Sequence, residues 1–384
     1  MKALRFLIFA IIFSFSCFIF PQNTFAQTAQ QSTPKDVYMT AQVLQFLRTT
    51  RIYQGNATSF QELQVKITSG AESGKTVTMD YDQSSIPGLE LHRGDSVVIA
   101  KTANIYSSTP RYYFVDINRL VPIVGLLAGF LVLIIAVAGW KGFGSIAGLA
   151  ISLGIIFFYI VPQIIHGADP LNTCMIGAIA ILFLTTYIAH GISSQTTVGF
   201  FATLLALGIT YYLSQFVVHV SLLTGYGNEE AADLHFGLQT MIDIKGIFLG
   251  GIILATVGAL NDITITQSAA LFALHKTNPS FTLKELISHG FAIGREHAVS
   301  LVNTLVLAYA GSALSLFIFF LFNPNKQPWW VVLNSEFLNE ELMRTIAGTA
   351  GLLLSVPIVT FLASYIYKKR VFEFIKKMSY SMTH

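Results

Sequence analysis

The sequence predicts an all-α polytopic membrane bundle of about seven transmembrane helices, preceded by a small N-terminal extracytoplasmic β-domain. Three observations carry that prediction. The 384 residues are 53% hydrophobic and only 11% charged, with a mean hydropathy of +0.61. Soluble domains carry about 25% charged residues, so this chain cannot cover a globular surface in water. From Leu120 onward the text is a series of apolar runs of the roughly 20 residues that a bilayer core demands. Between residues 37 and 117 the pattern instead alternates at period two, with turn signals between short runs.

Residues 1–26 read as a signal peptide. Lys2 and Arg5 form its basic start, residues 6–20 its apolar run, Pro21 a break, and Ala26 a small residue for cleavage. The rival is an uncleaved anchor, which adds one helix. Cys17 is a poor lipidation site, because Phe18, Ile19 and Phe20 continue the apolar run past it. Cys174 falls in a predicted span, so the two cysteines supply neither a disulfide framework nor a cysteine-rich metal site. A polar linker follows at 27–36.

The extracytoplasmic β-rich domain is expected at 37–117. Strands are predicted at 39–46, 63–68, 76–81, 96–100 and 111–117, separated by Gly70, Gly74, Pro87-Gly88 and Gly94-Asp95. Five short strands suit a small barrel or sandwich, an OB-like barrel among them. No aromatic-plus-basic groove is visible, and the net charge of +3 is too weak to imply nucleic acid. The domain reads as a structural cap or as the seat of a protein partner.

The transmembrane domain is expected at 118–368, with spans at 120–140, 143–164, 171–189, 196–218, 246–267, 299–322 and 345–367, and a basic tail at 369–384. Orientation follows from charge. Seven spans beginning outside place Lys141, Lys276, Lys284, Arg295 and the tail lysines inside, and Glu229, Glu230, Asp233, Glu336, Glu340 and Glu341 outside. That is the positive-inside asymmetry. It predicts a multi-pass protein of the bacterial cytoplasmic (inner) membrane, N-terminal domain outside and C-terminus in the cytoplasm.

The unusual chemistry lies between residues 246 and 309. Gly246 and Gly250 have the small-xxx-small spacing that lets helices approach closely. Asn261-Asp262 follows in the same span. A carboxylate at membrane depth costs roughly 2.5–3.5 kcal/mol on insertion scales, so Asp262 requires a partner, a water-filled cavity or protonation. Alternatively it marks the inner interface and is solvated, or the chain leaves at Leu260 and returns as a re-entrant segment, 263–274. Thr282 and Glu285 have capping-box spacing and predict a helix start. Further on, Glu296, Ser300, Asn303 and Thr304 share one helical face. That stripe either lines an ion or solute path or makes interhelical hydrogen bonds. Arg295 is expected to pair with Asp262 or Glu296. Asp262, Glu296 and His297 suit zinc by type, but their spacing assembles no metal site.

Three stretches now point to a family: Gly258 through Asp262, the triplet Gly294-Arg295-Glu296, and the run from Asn303-Thr304 to Tyr309 and Gly311. They resemble the YibE/F-like membrane proteins, as does the order of leader, β-region with a Gly-Asp turn, and membrane block. The family typically shows Gly-Arg-Asp and Met-Asp where this chain has Gly294-Arg295-Glu296 and Asn261-Asp262. The resemblance implies an architecture but brings no molecular activity with it.

The expectation is a transporter or permease component moving a small solute or ion, with Asn261, Asp262, Arg295, Glu296, Asn303 and Thr304 along its path. The alternative is a non-transporting scaffold or sensor whose β-domain binds an extracytoplasmic partner. No hydrolase triad, phosphate loop or dinucleotide fingerprint is present, so no enzymatic activity and no cofactor are expected. The expected partners are the lipid bilayer, the solute and a protein at the β-domain.

Overall fold

The computed structural model describes residues 37–53, 56–81, 91–102, 111–227, 230–231, 233–234, 242–323 and 325–369. The expected leader (1–26), the linker (27–36) and residues 370–384 of the tail lie outside them. The chain divides into two compact units between Leu133 and Ile134.

The first unit contains five strands: β1 (Val37–Tyr53), β2 (Asn56–Ile67), β3 (Thr76–Tyr81), β4 (Ser96–Thr102) and β5 (Arg111–Ile117). The alternation seen in the sequence is the inside of a barrel. Met39, Ala41 and Val43 of β1, Leu63, Val65 and Ile67 of β2, and Val97 and Ile99 of β4 are all buried in one core. Strand order is β1-β2-β3-β5-β4, closed by β1 against β4. Four of the five seams are antiparallel. The β3–β5 seam is parallel, with Asp80 opposite Tyr113 as its one registered pair. This is a five-stranded OB-like plan. A register shift between Val43 and Gln45 bends β1 where it leaves β4 for a longer partnership with β2. That ribbon runs out to Tyr53 opposite Asn56, beyond the expected strand ends. Arg48-Thr49-Thr50-Arg51 carries no apolar alternation, so only cross-strand pairing reveals it.

The helix α1 (Leu120–Ala138) follows, apolar all round and with none of its residues buried, as a lipid-facing span requires. The second unit begins within it. Next come α2 (Trp140–Ile155), a π-turn (Ile156–Ile160) and α3 (Val161–Ile165), which together make one span. The helix α4 (Pro170–His190) opens on an Asp169 cap that accepts from the Asn172 amide at 2.7 Å, and stops at Gly191 with φ 72°. Its neighbour α5 (Ser194–Val220) is capped by Ser193. Then come α6 (Ile244–Thr277), α7 (Leu283–Ser312), α8 (Leu314–Phe322), the short α9 (Trp329–Leu333) and α10 (Glu336–Lys368). Among the described residues six helices are long and apolar enough to cross a membrane, or seven when α7 and α8 are one broken span. The architecture is that of a multi-pass membrane protein.

Three elements differ from expectation. The sequence left open a re-entrant segment at 263–274; α6 is instead one continuous helix of 34 residues. The expected span 299–322 is broken: α7 and α8 are bent by 62° around Ala313. Gly311 and Ser312 stand at that bend, and Gly/Ser pairs are a common cause of sharp kinks. The last helix starts at Glu336 rather than near residue 345, so Glu336, Glu340 and Glu341 belong to its first turns and not to a loop.

The core of this unit is built around α6. It packs against α4, α5, α7 and α10 and is buried on several sides. Gly246 and Gly250 do face a neighbour: a Cβ on Gly250 would lie 2.6 Å from Cys174 Sγ, and one on Gly246 would lie 3.1 Å from Pro170 Cδ. Both contacts are with α4.

A candidate site on the exposed face of helix α6

Hydrogen bonds fix how α6 is rotated about its own axis. Asn261 Oδ1 accepts from Thr186 Oγ1 of α4 at 2.9 Å. Thr264 shares a 2.5 Å hydrogen bond with Thr203 of α5. Gln267 Nε2 donates to the Gly290 carbonyl of α7 at 2.6 Å and to Thr360 Oγ1 of α10 at 3.0 Å. Ser268 donates to the Gln195 carbonyl at 2.8 Å and pairs with the Tyr367 hydroxyl at 2.6 Å. Interhelical bonds in membranes average about 0.6 kcal/mol, so these six contribute on the order of 4 kcal/mol. That is too little to hold the bundle alone, but enough to set orientation.

The orientation decides where Asp262 goes. At about 100° per residue, Asn261, Thr264, Gln267 and Ser268 occupy one half of the helix circumference. Ala255, Gly258, Asp262 and Thr266 then share the other half, and all four are exposed. A Cβ built on Gly258 meets nothing within 4 Å, so the turn before Asp262 faces open space. His190, at the end of α4, and His297 of α7 are the imidazoles within electrostatic range of Asp262.

The expected residues separate on this geometry. Asn261 is a helix-to-helix tether. Asp262 is exposed. Arg295, Glu296, Asn303 and Thr304 are all exposed on α7, where Thr304 Oγ1 donates back to the Ser300 carbonyl at 3.0 Å. The expected pairing of Arg295 is not formed: among the described residues no ion pair joins it to Asp262 or Glu296. The reason is its helical position. Gly294 faces inward at Val356 and Gln267, which carries Arg295 round to the exposed side. No group of three His, Cys, Asp or Glu stands close enough to hold a metal among the described residues. His190 was not a candidate from sequence. It lies far from Asp262 along the chain, and only the α4–α6 packing brings it within electrostatic range.

Near the other end of α6 the sequence reading also passed over Glu340 and Arg344, which line a cavity with Phe248. Glu340 reads as a loop charge from sequence because α10 begins earlier than its apolar run.

Comparison with known proteins agrees with this architecture. No curated protein and no solved structure matches the chain. The family described as YibE/F-like protein matches residues 126–369, which takes in all helices from α2 to α10 and the whole block from Gly258 to Gly311. With well over half of its length covered, the chain belongs to the YibE/F-like protein family.

Proposed function

We propose that this YibE/F-like protein is a transporter or permease component for a small solute or ion, with Asp262 as its coupling group. The observation that supports this reading is one carboxylate in the middle of a membrane helix, exposed on an open face and within electrostatic range of His190 and His297. A solvated carboxylate there avoids the cost of a dry one. Carboxylate and imidazole in one intramembrane cluster are the groups of proton and cation relays. Glu296, Asn303 and Thr304 extend the polar surface along α7. In this proposal the protein sits in a bacterial cytoplasmic membrane, delivered by a cleaved leader, with the barrel outside.

A second reading rests on the same α7 stripe. Glu296 and Asn303 face away from α6 and α10, so they could be covered by a helix of another protein, as a scaffold or sensor requires. Water access separates the two readings. In a background with Cys17→Ser and Cys174→Ala, single cysteines at Asp262, Ser300 and Leu307 are treated with a membrane-impermeant maleimide. Leu307, apolar and 71% exposed, is the lipid-facing control. Fast labelling at 262 and 300 with protection at 307 is expected. Protection at 262 equal to that at 307 removes the aqueous path.

A further inference from the structure

A cavity of about 240 Å³ lies at the start of α6, lined by Ile244, Ile247 and Phe248 of α6, Glu340 and Arg344 of α10, and Glu230. Phe248 precedes Asp262 by fourteen residues, about 21 Å along a helix, so this is a separate place.

Its two ionic walls are both incompletely satisfied. Glu340 is only 3% exposed, and its Oε1 accepts from the Gly227 amide at 2.8 Å. An ionised carboxylate offers about four acceptor positions, and among the described residues the Gly227 amide fills one of them. Arg344 stacks its guanidinium 5.2 Å from the centre of the Phe248 ring. Its Nε stands 3.5 Å from Glu341 Oε1, yet that atom is fully covered and has no hydrogen-bond partner. Glu340 and Arg344 are one helical turn apart and share a face of α10. Even so, no ion pair joins them among the described residues. Buried charges that do not neutralise each other are costly to hold, and a ligand carrying both complements offsets that cost. A simple cation would face Arg344, and a simple anion would face Glu340 and Glu230.

We propose that the cavity binds a free α-amino-acid-like zwitterion with an aliphatic side chain. Its ammonium meets Glu340, with Glu230 at the exposed edge. Its carboxylate meets the outer nitrogens of the Arg344 guanidinium, whose Nη1 lies near Gly251 on the cavity wall. Its side chain lies against Ile244 and Ile247. Several waters fit a space of this size, and so does one small solute.

The test is calorimetric titration of the full-length protein in phosphatidylcholine nanodiscs, with L-leucine as the probe. A saturable heat is expected. Glu340→Gln, which keeps an acceptor for Gly227, and Arg344→Gln should each weaken binding about tenfold or more. Isoamylamine, which lacks the carboxylate, and isocaproate, which lacks the ammonium, should bind far more weakly to the unaltered protein. That comparison decides the matter even where a variant fails to fold. Absence of leucine binding overturns the proposal, as does isoamylamine or isocaproate binding as well as leucine. The phosphatidylethanolamine headgroup carries a similar pair of charges. Leucine binding should persist in nanodiscs containing that lipid; its loss there assigns the cavity to a headgroup and overturns a free amino acid as the ligand. These titrations read the cavity alone, so their failure leaves the labelling result at position 262 untouched.

Discussion

At the scale of single residues, neighbours in sequence have opposite fates. Asn261 is tied to Thr186, and Asp262 one residue later is exposed, because a helix turns about 100° between them. In the barrel, Glu72 shows a charge whose partners come from strands far along the chain. Lys101 Nζ donates to its Oε1 at 2.7 Å and the Tyr112 hydroxyl to its Oε2 at 2.6 Å. The Lys101 bond first, then the Tyr112 bond, hold the Glu72 carboxyl below the usual glutamate range. A lowered folded value means the stabilisation is complete above the unfolded value of about 4.3 and is lost as pH falls through the folded one. Glu72→Gln should therefore flatten the acid side of the barrel's calorimetric unfolding profile while leaving the fold near neutral pH in place. Identical acid dependence in the two proteins would show that the triad adds nothing.

At the scale of elements, the crossing of α6, α7 and α10 depends on missing side chains. A Cβ on Gly294 would come 2.6 Å from Val356 Cγ1 and 3.0 Å from Gln267 Nε2. Gly290, one turn earlier, would similarly meet Leu271 and Thr360. Gly294→Ala should destabilise the bundle by about 1–3 kcal/mol through overpacking. Gly258→Ala, whose Cβ enters open space, should cost nothing and gain up to about 1 kcal/mol from helix propensity. Unfolding of both variants in mixed micelles measures the pair. Equal effects would mean that the close approach does not matter.

At the scale of the whole molecule, the proposed orientation makes a prediction of its own. A fluorescent protein fused after Lys369 should fluoresce in living cells. A cysteine at Ser73, exposed in the turn after Gly70, should react with an impermeant reagent in intact spheroplasts. A dark fusion together with a protected Ser73→Cys would reverse the topology and place the barrel in the cytoplasm.

Sequence alone determined the features that depend on local pattern. Period-two alternation marked Met39, Ala41 and Val43 as one face of a strand, and long apolar runs marked the spans, because lipid leaves little choice but a closed helix. The capping box at Thr282 and Glu285 is present as read. Tertiary structure decided whatever depends on rotation and partnership. Apolar text like that of α6 has no preferred face, so nothing in it says which side of the helix is outward. The bonds of Asn261, Thr264, Gln267 and Ser268 to four other helices choose that side, and with it turn Asp262 to the exposed face. The same holds for Glu340 and Arg344: their charges were legible, but the cavity between them exists only once α10 packs against α6.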